Sequence, residues 1–115
     1  MAPLWPLHGA NLGTLLRTCD AVGACLAVPR LPWVPEALAR GNTLRRPACV
    51  HWAERDACRW FRDQRSAGYR VIGVELADEA IRLADLPAAR QCTIAVLGTS
   101  RPAFPPRPLT YSIWL

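Results

Sequence analysis

Apolar positions recur along this chain with two periods, and the alternation between them divides it into helices and strands. Leu12, Leu15, Leu16, Cys19 and Val22 fall at i, i+3, i+4, i+7 and i+10, the spacing of one buried helix face. Asn11 precedes this stripe and is placed to cap it. Gly23 follows and is placed to end it in a left-handed conformation. Gly13 and Arg17 lie four apart, so they share one side of that helix, one turn above the other. The glycine leaves room for something to approach the backbone beside the guanidinium. A second stripe runs from Glu54 to Ala67, with Ala57, Trp60, Phe61 and Gln64 on one side. Its Arg55, Arg59, Arg62 and Asp63 fall on the solvated side, and Gly68 closes it. Between the two, Pro35 to Arg40 predicts about a turn and a half of helix opened by proline and ended by Gly41-Asn42.

The remaining apolar runs are short and read as strands: Cys25 to Val28, Ala48 to Trp52, Arg70 to Leu76 and Thr93 to Gly98. Pro3 to Leu7 is bracketed by prolines, which confine a strand to an edge or an end. Ile81-Arg82-Leu83 predicts one short turn or strand, closed by Pro87. Strands and helices in alternation predict an α/β fold, with a mostly parallel sheet and helices on both faces. Ligands of such folds bind outside the carboxyl ends of the strands, here Pro29, Glu75-Leu76 and Gly98. There is no Gly-x-Gly-x-x-Gly and no Walker loop, which disfavours the nucleotide folds built on them. The absence of a Gly-x-Ser-x-Gly elbow argues against an α/β-hydrolase.

A length of 115 residues fits one domain, and an apolar fraction of 51% suffices for a core. Fourteen basic against nine acidic residues give a net charge of +5, a balance that permits contact with phosphate. Leu44-Arg45-Arg46-Pro47 is a basic linker, and Arg55, Arg59, Arg62 and Arg65 add a basic helix face. No apolar run approaches a membrane span and no secretory leader is visible, so no membrane partner and a cytoplasmic location are expected. The five cysteines, Cys19, Cys25, Cys49, Cys58 and Cys92, form no Cys-x-x-Cys pair. No metal site is therefore expected, and Cys19, Cys25 and Cys92 read as buried, reduced thiols. His51 alternates with Val50 and Trp52 and reads as a half-exposed strand residue.

The stretch Asn11-x-Gly13-x-x-x-Arg17-Thr18-x-x-x-x-Gly23 resembles motif 1 of the SpoU (TrmH) family of SPOUT RNA methyltransferases. Ala24 to Arg30 then follows as the family's second strand does. Gly68 to Leu76 with Ala80 to Leu83, and Thr93 to Gly98, are similar to the strands that lead into its cofactor site. The resemblance spans roughly residues 4 to 98. It implies a dimeric α/β fold with a C-terminal knot, an exception to unknotted topology. It also implies transfer of a methyl group from S-adenosylmethionine to a ribose 2′-hydroxyl of tRNA or rRNA. By resemblance Asn11 and Arg17 stand on the catalytic side, with Arg17 on the target ribose or its phosphate. Val74, Glu75, Leu76 and Gly98 stand where the family lines its cofactor pocket. Arg30, Arg45 and Arg46 join Arg17 as expected RNA contacts. Arginine suits phosphate by its bidentate fork and is a poor proton acceptor, so positioning and charge stabilisation are the expected roles.

After Gly98 the pattern departs from the family. Where a His-Glu pair and a Gly-Ile-Pro-Pro-Glu-like run are expected, residues 99–115 carry no acidic residue and no helical stripe. With GC-rich codons, reading this tail from one nucleotide upstream restores both features, so a frameshift is the expected origin. The expected organisation is thus a partial methyltransferase domain over residues 1–98, an incomplete SPOUT domain, followed by an aberrant, disordered tail over 99–115. Loss of the family's last strand predicts weak stability, association through exposed sheet edges and impaired turnover. The alternative is a remnant that binds RNA without catalysis, its arginines holding phosphates.

Overall fold

The computed structural model describes residues 1–3, 11–74, 81–89 and 91–97 of the 115. Among the described residues five strands alternate with three helices: β1 (Ala2–Pro3), α1 (Leu12–Ala21), β2 (Leu26–Pro29), α2 (Val34–Gly41), β3 (Val50–Ala53), α3 (Ala57–Ser66), β4 (Arg70–Val74) and β5 (Thr93–Leu97). A 3-10 turn at Leu83–Asp85 precedes β5. The pairings among the described strands are parallel: β1 with β5, β5 with β4, and β2 with β3. Met1 joins the two sets, because its nitrogen donates to the Cys25 carbonyl at 2.7 Å and its carbonyl accepts from the Ala27 nitrogen at 2.7 Å. That is the parallel ladder pattern around Leu26. The described strands therefore run in the order β3-β2-β1-β5-β4, and the fold is the expected α/β class.

Alternation along the strands assigns the two faces. Leu26 and Val28 of β2 pack against Leu12, Leu16 and Cys19 of α1 and Val34, Ala37 and Leu38 of α2. All eight are buried, and they form the core. The intervening Ala27 points the other way, where it lines a small cavity with Ala2 and with Trp60 and Phe61 of α3. Those two rings pack edge to face, with centroids 5.0 Å apart. No α3 residue is fully buried, so this helix rides the sheet with its aromatic side half covered.

α1 and α2 cross with their backbones in contact. A Cβ on Gly13 would lie 2.2 Å from the Gly41 Cα, so only glycine fits at that crossing. What approaches the backbone beside Arg17 is thus the end of α2. Gly23 and Gly68 close α1 and α3 with φ of 68° and 92°, as their positions predict.

Three expectations are corrected. Asn11 makes no side-chain capping bond; it already has helical backbone angles, so its side chain cannot reach back to the first turn. Val22 is 69% exposed because α1 ends at Ala21, before the stripe completes its third turn. Cys25 is bonded to Cys49, and Cys92 is exposed; of the three thiols read as buried and reduced, only Cys19 is both. Parallel pairing of β2 with β3 puts residues 25 and 49 opposite each other, a juxtaposition that their separation of 24 residues does not announce.

Candidate functional site

Arg17 stands on the exposed side of α1, one turn beyond the Gly13–Gly41 crossing. The crossing delivers the 42–46 linker onto this side of the helix. The Arg17 guanidinium donates to Thr14 Oγ1 and to Thr43 Oγ1, each at 3.4 Å. Both are long, weak bonds, and neither partner is charged. Among the described residues Arg17 has no carboxylate partner. Asn11 is exposed at the start of the same helix.

Other arginines are already engaged. Arg46 bonds Asp20 at 2.8 Å, and this hydrogen bond raises the guanidinium pKa further above its ordinary value. Arg40 pairs with Glu36 one turn away, Arg59 lies 3.8 Å from Glu54, and Arg82 bonds Asp85 at 2.8 Å. Arg45 is exposed on the linker beside Arg46. The expected RNA contacts therefore divide: Arg17 and Arg46 lie along α1, the latter neutralised by a carboxylate.

Arg30 belongs to a separate place. Its backbone nitrogen donates to the Ala53 carbonyl at 3.1 Å, which fixes it just past the carboxyl end of β2. Its guanidinium lies over the Trp52 ring, 5.9 Å from the centroid, within cation–π range. The Trp52 ring is 39% exposed. Arg30, Leu31, Pro35, Trp52 and Arg55 line an open groove of about 660 Å³ at this end of the sheet. Arg55 is among the arginines that the RNA-binding alternative expects on phosphates; Trp52 was not expected as a contact. The pairing of Val28 with Trp52 and of Pro29 with Ala53 brings both residues to Arg30, a juxtaposition set by strand register.

Of the expected cofactor residues, Val74 ends β4 beside Leu97, its register partner on β5. Glu75, Leu76 and Gly98 lie outside the described residues. Val74, Ile72, Ala95 and Leu97 share the face that α1 and α2 cover elsewhere, and with Leu83 and Leu86 they line a cavity of about 300 Å³. Its described walls are almost wholly apolar, apart from Arg82, which is tied to Asp85. They suit a flat aromatic base but hold no side chain that would accept from a ribose hydroxyl. Neither Asn11 nor Arg17 lines this cavity.

The amino-terminal edge of the sheet carries a third group. The sulfur of Cys49, bonded to Cys25, lies 3.6 Å from His51 Nε2. No metal was expected there because no two cysteines form a Cys-x-x-Cys pair and His51 has no Cys or His at the usual ligand spacing. The strand spacing Cys49-x-His51, which puts both on one face, was the available signal.

No family model and no curated protein matches the chain. No helix among the described residues is long and apolar enough to cross a membrane.

Proposed function

We propose that this chain is the substrate-side part of a SpoU-type RNA 2′-O-methyltransferase, acting with S-adenosylmethionine on a ribose of tRNA or rRNA and impaired in turnover. The observation that carries this reading is Arg17. It is an exposed guanidinium oriented by two hydroxyls, with no carboxylate partner among the described residues. Such a group is ready to take a phosphate through its bidentate fork. Asn11 stands exposed at the start of the same helix, six residues before Arg17. Their work is to bind and orient the ribose-phosphate, and proton removal falls to another group, because arginine stays protonated. The cofactor, when bound, supplies the methyl group. Ile72, Val74 and Leu97 fit its adenine, and Glu75, Leu76 and Gly98 follow directly on those strands. A cytoplasmic location belongs to the same proposal; the homodimer is the family's assembly and is not proposed for this incomplete domain.

A second reading, RNA binding without catalysis, is favoured by the Arg30–Trp52 pair and its open groove. Exposed aromatic faces beside arginine are stacking platforms for unpaired bases. Calorimetric titration with S-adenosylmethionine and salt-dependent binding of mixed tRNA separate the readings. The enzyme reading requires cofactor binding. It also requires that Arg17→Ala weaken RNA binding and lower the salt slope by about one phosphate contact. RNA binding without cofactor binding selects the second reading. Arg17→Ala binding RNA as tightly as wild type, with no cofactor bound, refutes the first.

A further inference from the structure

We propose that Cys25, Cys49 and His51 form a redox-controlled zinc site, closed by a disulfide when oxidised and holding one Zn²⁺ when reduced. The register places the three together. Leu26 pairs with Val50 and Ala27 with His51, so Cys25 stands opposite Cys49 at the entry of two neighbouring parallel strands. His51, two residues beyond Cys49, projects from the same face. The Cα atoms of Cys25 and Cys49 are 4.7 Å apart, and the ligand atoms of all three residues lie within 4.8 Å of one another.

The distances suit tetrahedral zinc. Bonds of about 2.3 Å to sulfur and about 2.0–2.1 Å to imidazole nitrogen put a sulfur and a nitrogen ligand roughly 3.6 Å apart. The Cys49 sulfur and His51 Nε2 already stand 3.6 Å apart. The two sulfurs have to separate, to about 3.8 Å, and the Cys25 sulfur, within 4.8 Å of the His51 ligand nitrogen, has to settle at about 3.6 Å from it. Rotation about two side-chain torsions achieves that without moving the strands. Two thiolates and an imidazole are the donor set that zinc prefers, and a fourth position is left to water. Cys49 and His51 are exposed and Cys25 is half-buried, so a reductant and the ion both have access.

The chemistry balances with a dithiol as reductant. The dithiol opens the Cys25–Cys49 bond, donates two electrons and two protons to the sulfurs, and leaves as its own cyclic disulfide. Zn²⁺ then displaces both thiol protons, and His51 binds through a neutral ring nitrogen. Oxidation requires a disulfide or peroxide acceptor and expels the ion, because sulfurs bonded to each other cannot serve as thiolates.

Co²⁺ titration of the full chain, before and after reduction by a phosphine that is then removed, tests the assignment. Reduced wild type is expected to bind one Co²⁺ with thiolate-to-metal absorption in the near ultraviolet, and equimolar Zn²⁺ should bleach it. The oxidised chain should show no such absorption. Cys49→Ser should abolish it, whereas Cys58→Ser with Cys92→Ser should leave it unchanged. Because Cys49→Ser also removes the disulfide, His51→Ala supplies the second arm: its side chain is exposed, and its loss should weaken binding at least about tenfold, the least that loss of even an outer-shell partner costs. The proposal is overturned if the reduced chain binds no metal, if the oxidised chain binds it equally, or if His51→Ala binds as wild type.

Discussion

Replacing Gly13 by alanine sets two effects of known sign against each other. Gly13 lies in the first turn of α1, where alanine is favoured over glycine by up to about 1 kcal/mol on helix propensity. Propensity alone therefore predicts a more stable protein. The crossing predicts the opposite. The new Cβ would stand 2.2 Å from the Gly41 Cα, 2.4 Å from its carbonyl carbon and 2.8 Å from its nitrogen. Carbon atoms rest at about 3.5–4.0 Å, so α1 and α2 must part by roughly 1.5 Å. The obstacle is backbone, which has no rotamer to yield. Parting the helices loosens Leu12 and Leu16 against Val34 and Leu38, the centre of the core. Overpacking of this kind costs about 1–3 kcal/mol or more, and the upper end applies here. The net expectation is a loss of about 2 kcal/mol, or a melting temperature lower by roughly 10 °C in a domain this small. Gly41→Ala, whose Cβ would meet the Gly13 Cα at 2.8 Å, should cost less. Urea and thermal unfolding followed by far-ultraviolet circular dichroism measure both. Gly13→Ala as stable as wild type, or Gly41→Ala the worse of the two, would refute the backbone crossing.

Three further outcomes are expected. Asp56 caps α3 by accepting from the Arg59 nitrogen at 3.1 Å, so Asp56→Ala should lower stability by about 1 kcal/mol in urea unfolding, while Asp56→Asn should lose little. Burial pushes the Cys19 thiol pKa up; the folded state then holds its proton more tightly than the unfolded one. Its contribution is complete below about pH 8.5, the ordinary thiol value, and is lost as pH rises through the folded value. Urea midpoints should fall over that alkaline range, and mass spectrometry should find Cys58 and Cys92 alkylated well before Cys19. Reducing the Cys25–Cys49 bond, which closes a loop of 24 residues, should lower stability by about 3.5 kcal/mol in the absence of metal, on the chain-entropy model. A metal-free reduced chain with an unchanged urea midpoint would contradict that value.

Local pattern made α1, α3 and the strands legible, because each is written in residues a few positions apart. The stripe of Leu12, Leu16 and Cys19 is buried as its spacing requires, and Gly23 and Gly68 stop their helices where left-handed geometry is needed. Val22 misled because periodicity carries no information about where a helix ends; the glycine beside it was the better guide. Asn11 misled because a capping residue type was read as a capping conformation. The Gly13–Gly41 contact was half visible: the glycine announced a close approach, but its partner lies 28 residues on, across a strand and a loop. Nothing local encodes that distance.

The candidate groups obey the same division. Register decides them, and register is a long-range fact. In an all-parallel sheet, residues that precede strands gather at one edge and residues that follow them gather at the other. Cys25 and Cys49 precede β2 and β3, so they meet at the amino edge with His51 beside them. Arg30 and Arg55 follow the same two strands and line one groove at the carboxyl edge, with Arg30 over Trp52. His51 and Trp52 are consecutive on β3, so their side chains leave opposite faces of the sheet. Zinc or a disulfide on one face therefore touches none of the groups that would stack a base on the other. The two proposed chemistries share a scaffold without sharing a ligand, so if the chain binds RNA as proposed, reducing the disulfide should leave the salt dependence of that binding intact. A loss of RNA affinity on reduction would show that the β2–β3 pairing itself depends on the bond, and that the two edges are mechanically one site.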